Sequence, residues 1–295
     1  MEPWIIFTLL AVIMQSVRTA AQKQITQEIS VQSATLVRFL FGIKFAALYF
    51  FLTMWIFQPI NFELNIKFII SGALASVSQV LATVFLIKAL TLKNFAVGTA
   101  LAKTEALLTA VLGSIFFSAY LNPMGYLSIL FGVCGLLIAS NWDVTLKDLS
   151  DNQSIRYGFG AGLGFALASL WIRDASLSLE IPGIVSAAAV LLYMVILQSL
   201  ICLVWISVKE PEQFMLIQKN LKSSLFIGFT GVLGSIGWFT AMSLQNAALV
   251  KTLGQIEFIA SLLITYLYFN EKISTREYLG IAFIAFSLLL LIGAA

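Results

Sequence analysis

The chain has 295 residues, 60% of them hydrophobic and only 11% charged, with a mean hydropathy of +0.97; a soluble domain carries roughly 25% charged residues. This predicts an integral membrane protein embedded in the lipid bilayer, with no sizeable soluble domain. A net charge of +3 without any basic cluster excludes a nucleic-acid partner, and the absence of histidine removes the commonest metal ligand and the commonest general acid or base.

A span needs about 20 mostly apolar residues, and the apolar runs predict ten. The first, 3–22, lacks a preceding Lys or Arg and reads as a retained span rather than a signal peptide. It carries Gln15 and Arg18. The second, 34–56, has Arg38 near its start and Lys44 one to two turns on; the third, 66–90, has Gln79 and ends near Lys88. Span four, 95–118, contains Lys103 and Glu105, and span five is 123–141. A polar break at 141–156 follows. Span six, 156–177, holds Gly158, Gly160, Gly162 and Gly164, with Trp171 and Arg173 further on. Span seven, 182–207, holds Tyr193 and Gln198, and a second long break, 209–222, separates it from span eight, 223–245. The eighth carries Gly228, Gly231, Gly234, Gly237 and Trp238; the ninth, 249–269, carries Gln255 and Glu257; the tenth is 276–294. Helices are the only sensible reading, because period-two alternation is absent and a bilayer offers no water to unpaired backbone groups. Cys134 and Cys202 lie inside spans and read as small core residues.

These spans form one unit written twice. Ala89-Leu-Thr-Leu-Lys-Asn-Phe-Ala96 returns as Ala241-Met-Ser-Leu-Gln-Asn-Ala-Ala248, and the register holds onward. Glu105 falls on Glu257, and Tyr126 falls on Tyr278. The halves are expected at residues 1–145 and 146–295, five spans each. An odd number of spans makes the second copy enter from the opposite face. The fold class expected is therefore an all-α integral membrane protein of ten transmembrane helices, two inverted five-helix repeats around a central cavity. In such proteins the solute site lies near the midplane between the halves.

An ionisable side chain deep in a span costs about 2.5–3.5 kcal/mol on insertion scales and marks function by default. Glu105 and Glu257 stand at matching depth in matching helices, near the middle of a hydrocarbon layer about 30 Å thick. Each reads as a substrate or coupling group, against the alternative of an ion pair between helices. Lys103 is two residues from Glu105, so on a regular helix they point to different faces. It reads as a partner of Glu257 across the repeat interface or of a substrate carboxylate. Its repeat mate is Gln255, which makes the site asymmetric and suited to a substrate with two different ends. Gln79, Trp171 and Trp238 are further candidates for lining the pathway, as are Gln15, Tyr193 and Gln198. Arg18, Arg38 and Lys44 read either as cavity groups or as snorkelling cations, and Lys88 and Arg173 as snorkelling. Asn94 and Asn246 read as helix caps.

With these residues assembled, the chain resembles the drug/metabolite transporter superfamily in its ten-span EamA-type branch. The stretch Tyr268-Phe-Asn-Glu-Lys-Ile-Ser274 followed by Tyr278-Leu-Gly-Ile281 resembles the family's pattern before its last span, and Leu36-Val-Arg-Phe39 resembles its Arg-Phe at the start of span two. The resemblance implies a basket of ten helices with a cavity lined by spans one, three, four, six, eight and nine, and positions matching Lys103 and Glu105 facing it. Relatives often carry a proline after the position of Glu105 and Glu257; here Ala106 and Phe258 stand there, which predicts a more regular backbone and no proline hinge.

The function expected is a secondary transporter of small metabolites, exporting amino acids or related compounds by alternating access, with no cofactor and no enzymatic activity. Lys103 would hold an anionic end of the solute, Glu105 and Glu257 a cationic end or a coupling proton, and Arg38 would serve coupling or gating. The alternatives are an uncoupled facilitator or importer, or a multidrug exporter. A membrane enzyme lacks the histidine or Asp-rich motif it would need, and a scaffold or receptor would not need charged mates in both repeats. The expected location is the cell (inner) membrane, as a multi-pass protein; a monomer suffices and a dimer is compatible. Lys and Arg concentrate in the odd-numbered connections, which by the positive-inside rule places those connections in the cytoplasm and both termini outside. The family resemblance implies cytoplasmic termini, so the two expectations oppose each other.

Overall fold

The computed structural model describes residues 2–58, 63, 65–92, 101–140, 153–259 and 274–294. Asn94, the 141–152 part of the central polar break, residues 260–273 and most of the motif before the last span lie outside the described residues. The helices in chain order are α1 (Pro3–Ile25), α2 (Val31–Leu40), α3 (Ile43–Phe57), α4 (Ile66–Thr91), α5 (Glu105–Phe116), α6 (Pro123–Ala139), α7 (Gln153–Leu177), α8 (Gly183–Lys209), α9 (Gln213–Lys219), α10 (Leu221–Leu244), α11 (Ala247–Leu253) and α12 (Thr275–Ala294). No strand occurs among the described residues. All ten expected spans are represented. Seven are long and apolar enough to cross a membrane, with α2 and α3 together forming one of them, and α5 and α6 are shorter apolar helices.

Local chemistry sets several helix starts. Side chains of Ser30, Asn65, Asn122 and Asn246 accept hydrogen bonds from backbone N–H groups at the starts of α2, α4, α6 and α11, satisfying donors that lipid could not. Proline occupies the first turn of α1 and α6, where its missing N–H costs nothing. The second span, expected as one run, is divided at Phe41–Gly42. There a Cβ added to Gly42 would stand 2.7 Å from Val232 Cγ2, and one added to Gly228 would stand 2.6 Å from Phe41 Cβ. The bend is seated in α10 by those two glycines.

The two halves interlock. α1 packs along α10, α4 along α7, and α6 along α12, so the first span of each repeat lies on the third span of the other and the two fifth spans lie together. Glycines make these approaches close. A Cβ at Gly237 would meet the Phe7 carbonyl oxygen at 2.5 Å, and one at Gly164 would meet Ala82 Cβ at 2.9 Å and the Ser78 oxygen at 3.1 Å. In a bilayer, where apolar burial drives little, this backbone proximity supplies the packing that holds helices together.

The cations expected to snorkel divide. Lys44 is exposed on the outside of the bundle and lies over the Phe45 ring, and Lys88 lies over the Tyr157 ring. Arg173 instead turns inward: its Nη1 donates to the carbonyl oxygens of Met242, at 2.6 Å, and Gln245. It thereby caps the C-terminal end of α10, where carbonyls lack intrahelical partners and a cation is favoured.

Candidate functional site

Spans four and nine are interrupted although Ala106 and Phe258 stand where relatives often carry proline. Residues 101–102 are helical, Lys103 and Thr104 form a turn, and α5 starts at Glu105. In the other repeat α11 ends at Leu253, Gly254 and Gln255 form a turn, and helix resumes at 256–259. The bonding tightens to i−3 at both places: Thr104 N–H donates to Leu101, Gln255 to Thr252, Glu257 to Gly254 and Phe258 to Gln255. No proline is involved. In the second repeat the cause is packing, since the Trp238 ring lies so close that a Cβ at Gly254 would be 2.5 Å from its Cη2. Discontinuous helices at matching depth in inverted repeats are the arrangement from which transporter solute sites are built.

The interruptions place charges that a continuous helix would separate. The ammonium of Lys103, in the first repeat, pairs with Glu257 of the second. The ammonium of Lys251, in the second, pairs with Glu105 of the first at 3.3 Å. The two glutamates are pseudo-symmetry mates, and each is neutralised by a lysine of the opposite half. The lysines are not mates: Gln255 corresponds to Lys103, and Thr99 corresponds to Lys251. Both pairs are sheltered; the side chains of Lys251 and Glu105 are 6% and 11% exposed.

A polar bridge ties the crossed pairs to α1 and α10. Gln15 donates from Nε2 to Glu257 Oε2 at 3.2 Å and accepts from Trp238 Nε1 at 2.9 Å. The Lys251 ammonium stands 4.2 Å from the Trp238 ring centroid, a cation–π contact that grows stronger in a desolvated setting. Trp238 therefore touches Lys251, Gln15 and the turn at Gly254 together.

Two arginines extend the cluster. Arg18 and Arg38 are 3% and 4% exposed, and both lie against Gly231, with Arg38 Cγ 3.1 Å and Arg18 Cδ 3.6 Å from where a Cβ would be. Arg38 donates to Thr83 Oγ1 at 2.9 Å. Among the described residues Arg18 reaches Thr19 Oγ1, at 3.4 Å, and its Nε finds no partner.

The remaining expected residues are distributed differently. Gln79 accepts from Gln198 Nε2 at 2.7 Å, an amide pair joining α4 to α8. Trp171 packs edge-on against Phe117. Gln255 is buried against Gly132 of α6 and Ser287 of α12, and neither of its amide atoms finds a partner. Tyr193 donates to the Ile69 carbonyl. The structure thus brings together Lys103, Glu105, Glu257, Trp238, Gln15, Arg18 and Arg38, and adds Lys251. Lys251 falls within the expected ninth span, 249–269, but is not among the residues the sequence singles out. Asn246 was the available signal: as a cap it starts the helix at Ala247, which puts Lys251 a full turn inside.

Ten helical spans in two interlocked repeats, with charged groups at interrupted helices between them, define a membrane protein of the two-repeat transporter class. A family model described as the EamA-like transporter family matches the chain twice, over residues 2–141 and 154–293. The chain belongs to that family, and it is an integral, multi-pass membrane transporter of small molecules. A solved structure titled "Crystal structure of protein" is similar to it with a TM-score of 0.68 over 97% of this chain and 95% of its own, at 12% identity; at that identity the likeness concerns the fold alone. No curated protein matches the sequence.

Proposed function

We propose that the protein is a secondary active transporter that exports amino acids or related small metabolites by alternating access, its halves being residues 1–145 and 146–295. The observation that carries this reading is the pair of crossed ion contacts, Lys103 with Glu257 and Lys251 with Glu105, seated where spans four and nine are interrupted. Each contact joins one repeat to the other, so any rocking of the halves must break or remake both. A solute with a carboxylate and an amine offers the partners that the separated groups would otherwise lack. A proton on Glu257 would release Lys103 in the same way, which makes coupling to a proton gradient part of the proposal.

The test is counterflow of radiolabelled amino acids into liposomes holding the purified protein, with and without a pH gradient. Accumulation that depends on the gradient and loses that dependence in Glu257→Gln supports coupled transport. Counterflow indifferent to pH in both proteins would leave an uncoupled facilitator, with the glutamates serving as substrate ligands only. Absence of counterflow for every amino acid would overturn the substrate class.

A further inference from the structure

The central cluster is not electrically balanced. By sequence, Glu105 and Glu257 are the only acidic residues deep within the apolar spans, since Asp174 lies near a span end and pairs with Lys67. Four cations converge on the same region: Lys103, Lys251, Arg18 and Arg38. Four against two leaves a surplus of two positive charges. The lysines take up both carboxylates. Among the described residues neither arginine has an ion pair, although Arg18 lies within the electrostatic field of both glutamates and Arg38 lies within that of Arg18. Arg38 is held by the neutral Thr83 hydroxyl, and Arg18 keeps a buried Nε without a partner.

Two like charges whose stems meet at one residue, Gly231, away from water, are unfavourable unless an anion joins them. Guanidinium groups are suited to that partner, because their planar donors match carboxylate and phosphate oxygens in pairs. Gly231 is the residue of α10 that both side chains cross, and its missing Cβ lets the two stems lie against the helix. Lys44, by contrast, is exposed on the outside of the bundle and takes no part.

We infer that the transported solute carries net negative charge, as an organic anion whose carboxylate or phosphate group sits between Arg18 and Arg38. This deepens the transporter reading above and rests on it. A neutral zwitterion adds no net charge, so it would leave the surplus of two positive charges in place. A dicarboxylate, an acidic amino acid or a phosphate monoester would discharge the surplus. A polar end opposite the anion would meet Gln15 or the crossed pairs.

The experiment uses pairs that differ in charge, the first two near-isosteric: L-glutamate against L-glutamine, succinate against succinamide, and glycerol 3-phosphate against glycerol, with L-lysine as the cation. Two readouts are taken on the full-length protein: thermal stabilisation in detergent at millimolar ligand, and counterflow in liposomes. The expected result is that the anions stabilise and exchange whereas their neutral partners and L-lysine do neither. The preference between carboxylates and phosphate identifies the anionic group. Arg38→Gln should weaken anion binding about 10–100-fold, the loss of a charge-assisted contact, with Arg38→Lys recovering part and Lys44→Gln unchanged. The lysine variant and the Lys44 control separate a binding defect from a folding defect. Counterflow of neutral or cationic solutes without the anions would overturn the inference while transport itself stands. Anion stabilisation that is lost in Arg38→Gln, without counterflow of any solute, would support the site and overturn the transporter reading. If no anion either stabilises or exchanges, the inference is wrong.

Discussion

The contact between Lys251 and Glu105 makes a demanding prediction because neither group can reach water easily. Replacing Glu105 by Gln leaves a nearly buried ammonium with no counter-ion, a change that costs about 3–5 kcal/mol when one member of a buried pair is removed. The Trp238 ring 4.2 Å away remains, and a desolvated cation–π contact is worth roughly 2 kcal/mol, so the expected loss lies at the lower end, about 3 kcal/mol. Lys251→Met alone strands Glu105 and should destabilise by a similar amount. In the double variant no charge is stranded, and apolar replacement of a buried pair is often neutral. Its stability should return to within about 1–2 kcal/mol of the parent, giving a coupling energy of about 4 kcal/mol. Reversible unfolding in mixed micelles, followed by tryptophan fluorescence across the four proteins, measures each term. If the losses of the single variants simply add in the double variant, Glu105 and Lys251 are not partners and the crossed arrangement fails.

Other consequences concern the frame. Gly237→Ala would force a Cβ to 2.5 Å from the Phe7 carbonyl oxygen and should cost about 1–3 kcal/mol through overpacking. Gly234→Ala, whose nearest neighbour would be 3.5 Å away, should be neutral or stabilising by up to about 1 kcal/mol through helix propensity; melting curves in one detergent decide between them. Arg173→Ala removes the cap on the α10 carbonyls and should lower stability by about 1.5–3 kcal/mol, read by the same melts, with Arg173→Lys recovering part. Lys67 pairs with Asp174 at 2.9 Å but its side chain is 61% exposed, so Lys67→Ala should change stability by less than about 1 kcal/mol.

The frame was legible because its signals are redundant. Apolar runs near twenty residues gave the spans, and matched Asn, Glu and Tyr positions gave the repeat. Asn246 was read as a cap, and it caps α11. What was not legible depends on partners distant in sequence. The turn at Gly254 follows from a tryptophan sixteen residues earlier pressing on the backbone, and no proline marks it in the sequence. The bend at Phe41–Gly42 is fixed by glycines and a valine of α10, which no local pattern reveals. Gln255 is the repeat mate of Lys103, but it lies against Gly132 of α6, with Ser287 of α12 close by. Symmetry of the backbone did not carry over to the surroundings of the side chain.

That last point separates what the fold explains from what the site explains. A structure with 12% identity shares this architecture over nearly its full length, so the frame tolerates almost complete replacement of its residues. Interlocked spans need small residues at a few crossings and apolar residues elsewhere, and many sequences meet those terms. The charges are a different kind of constraint. The two glutamates obey the repeat, whereas Lys103 and Lys251 do not, and Arg18 and Arg38 fall only in the first half. A pseudo-symmetric frame therefore encloses an asymmetric electrostatic field, positive in excess. A frame shared so widely cannot specify one solute. On the anion proposal, Arg18 and Arg38 would, because a solute that leaves them unneutralised meets the same desolvation cost that makes such groups rare in membranes.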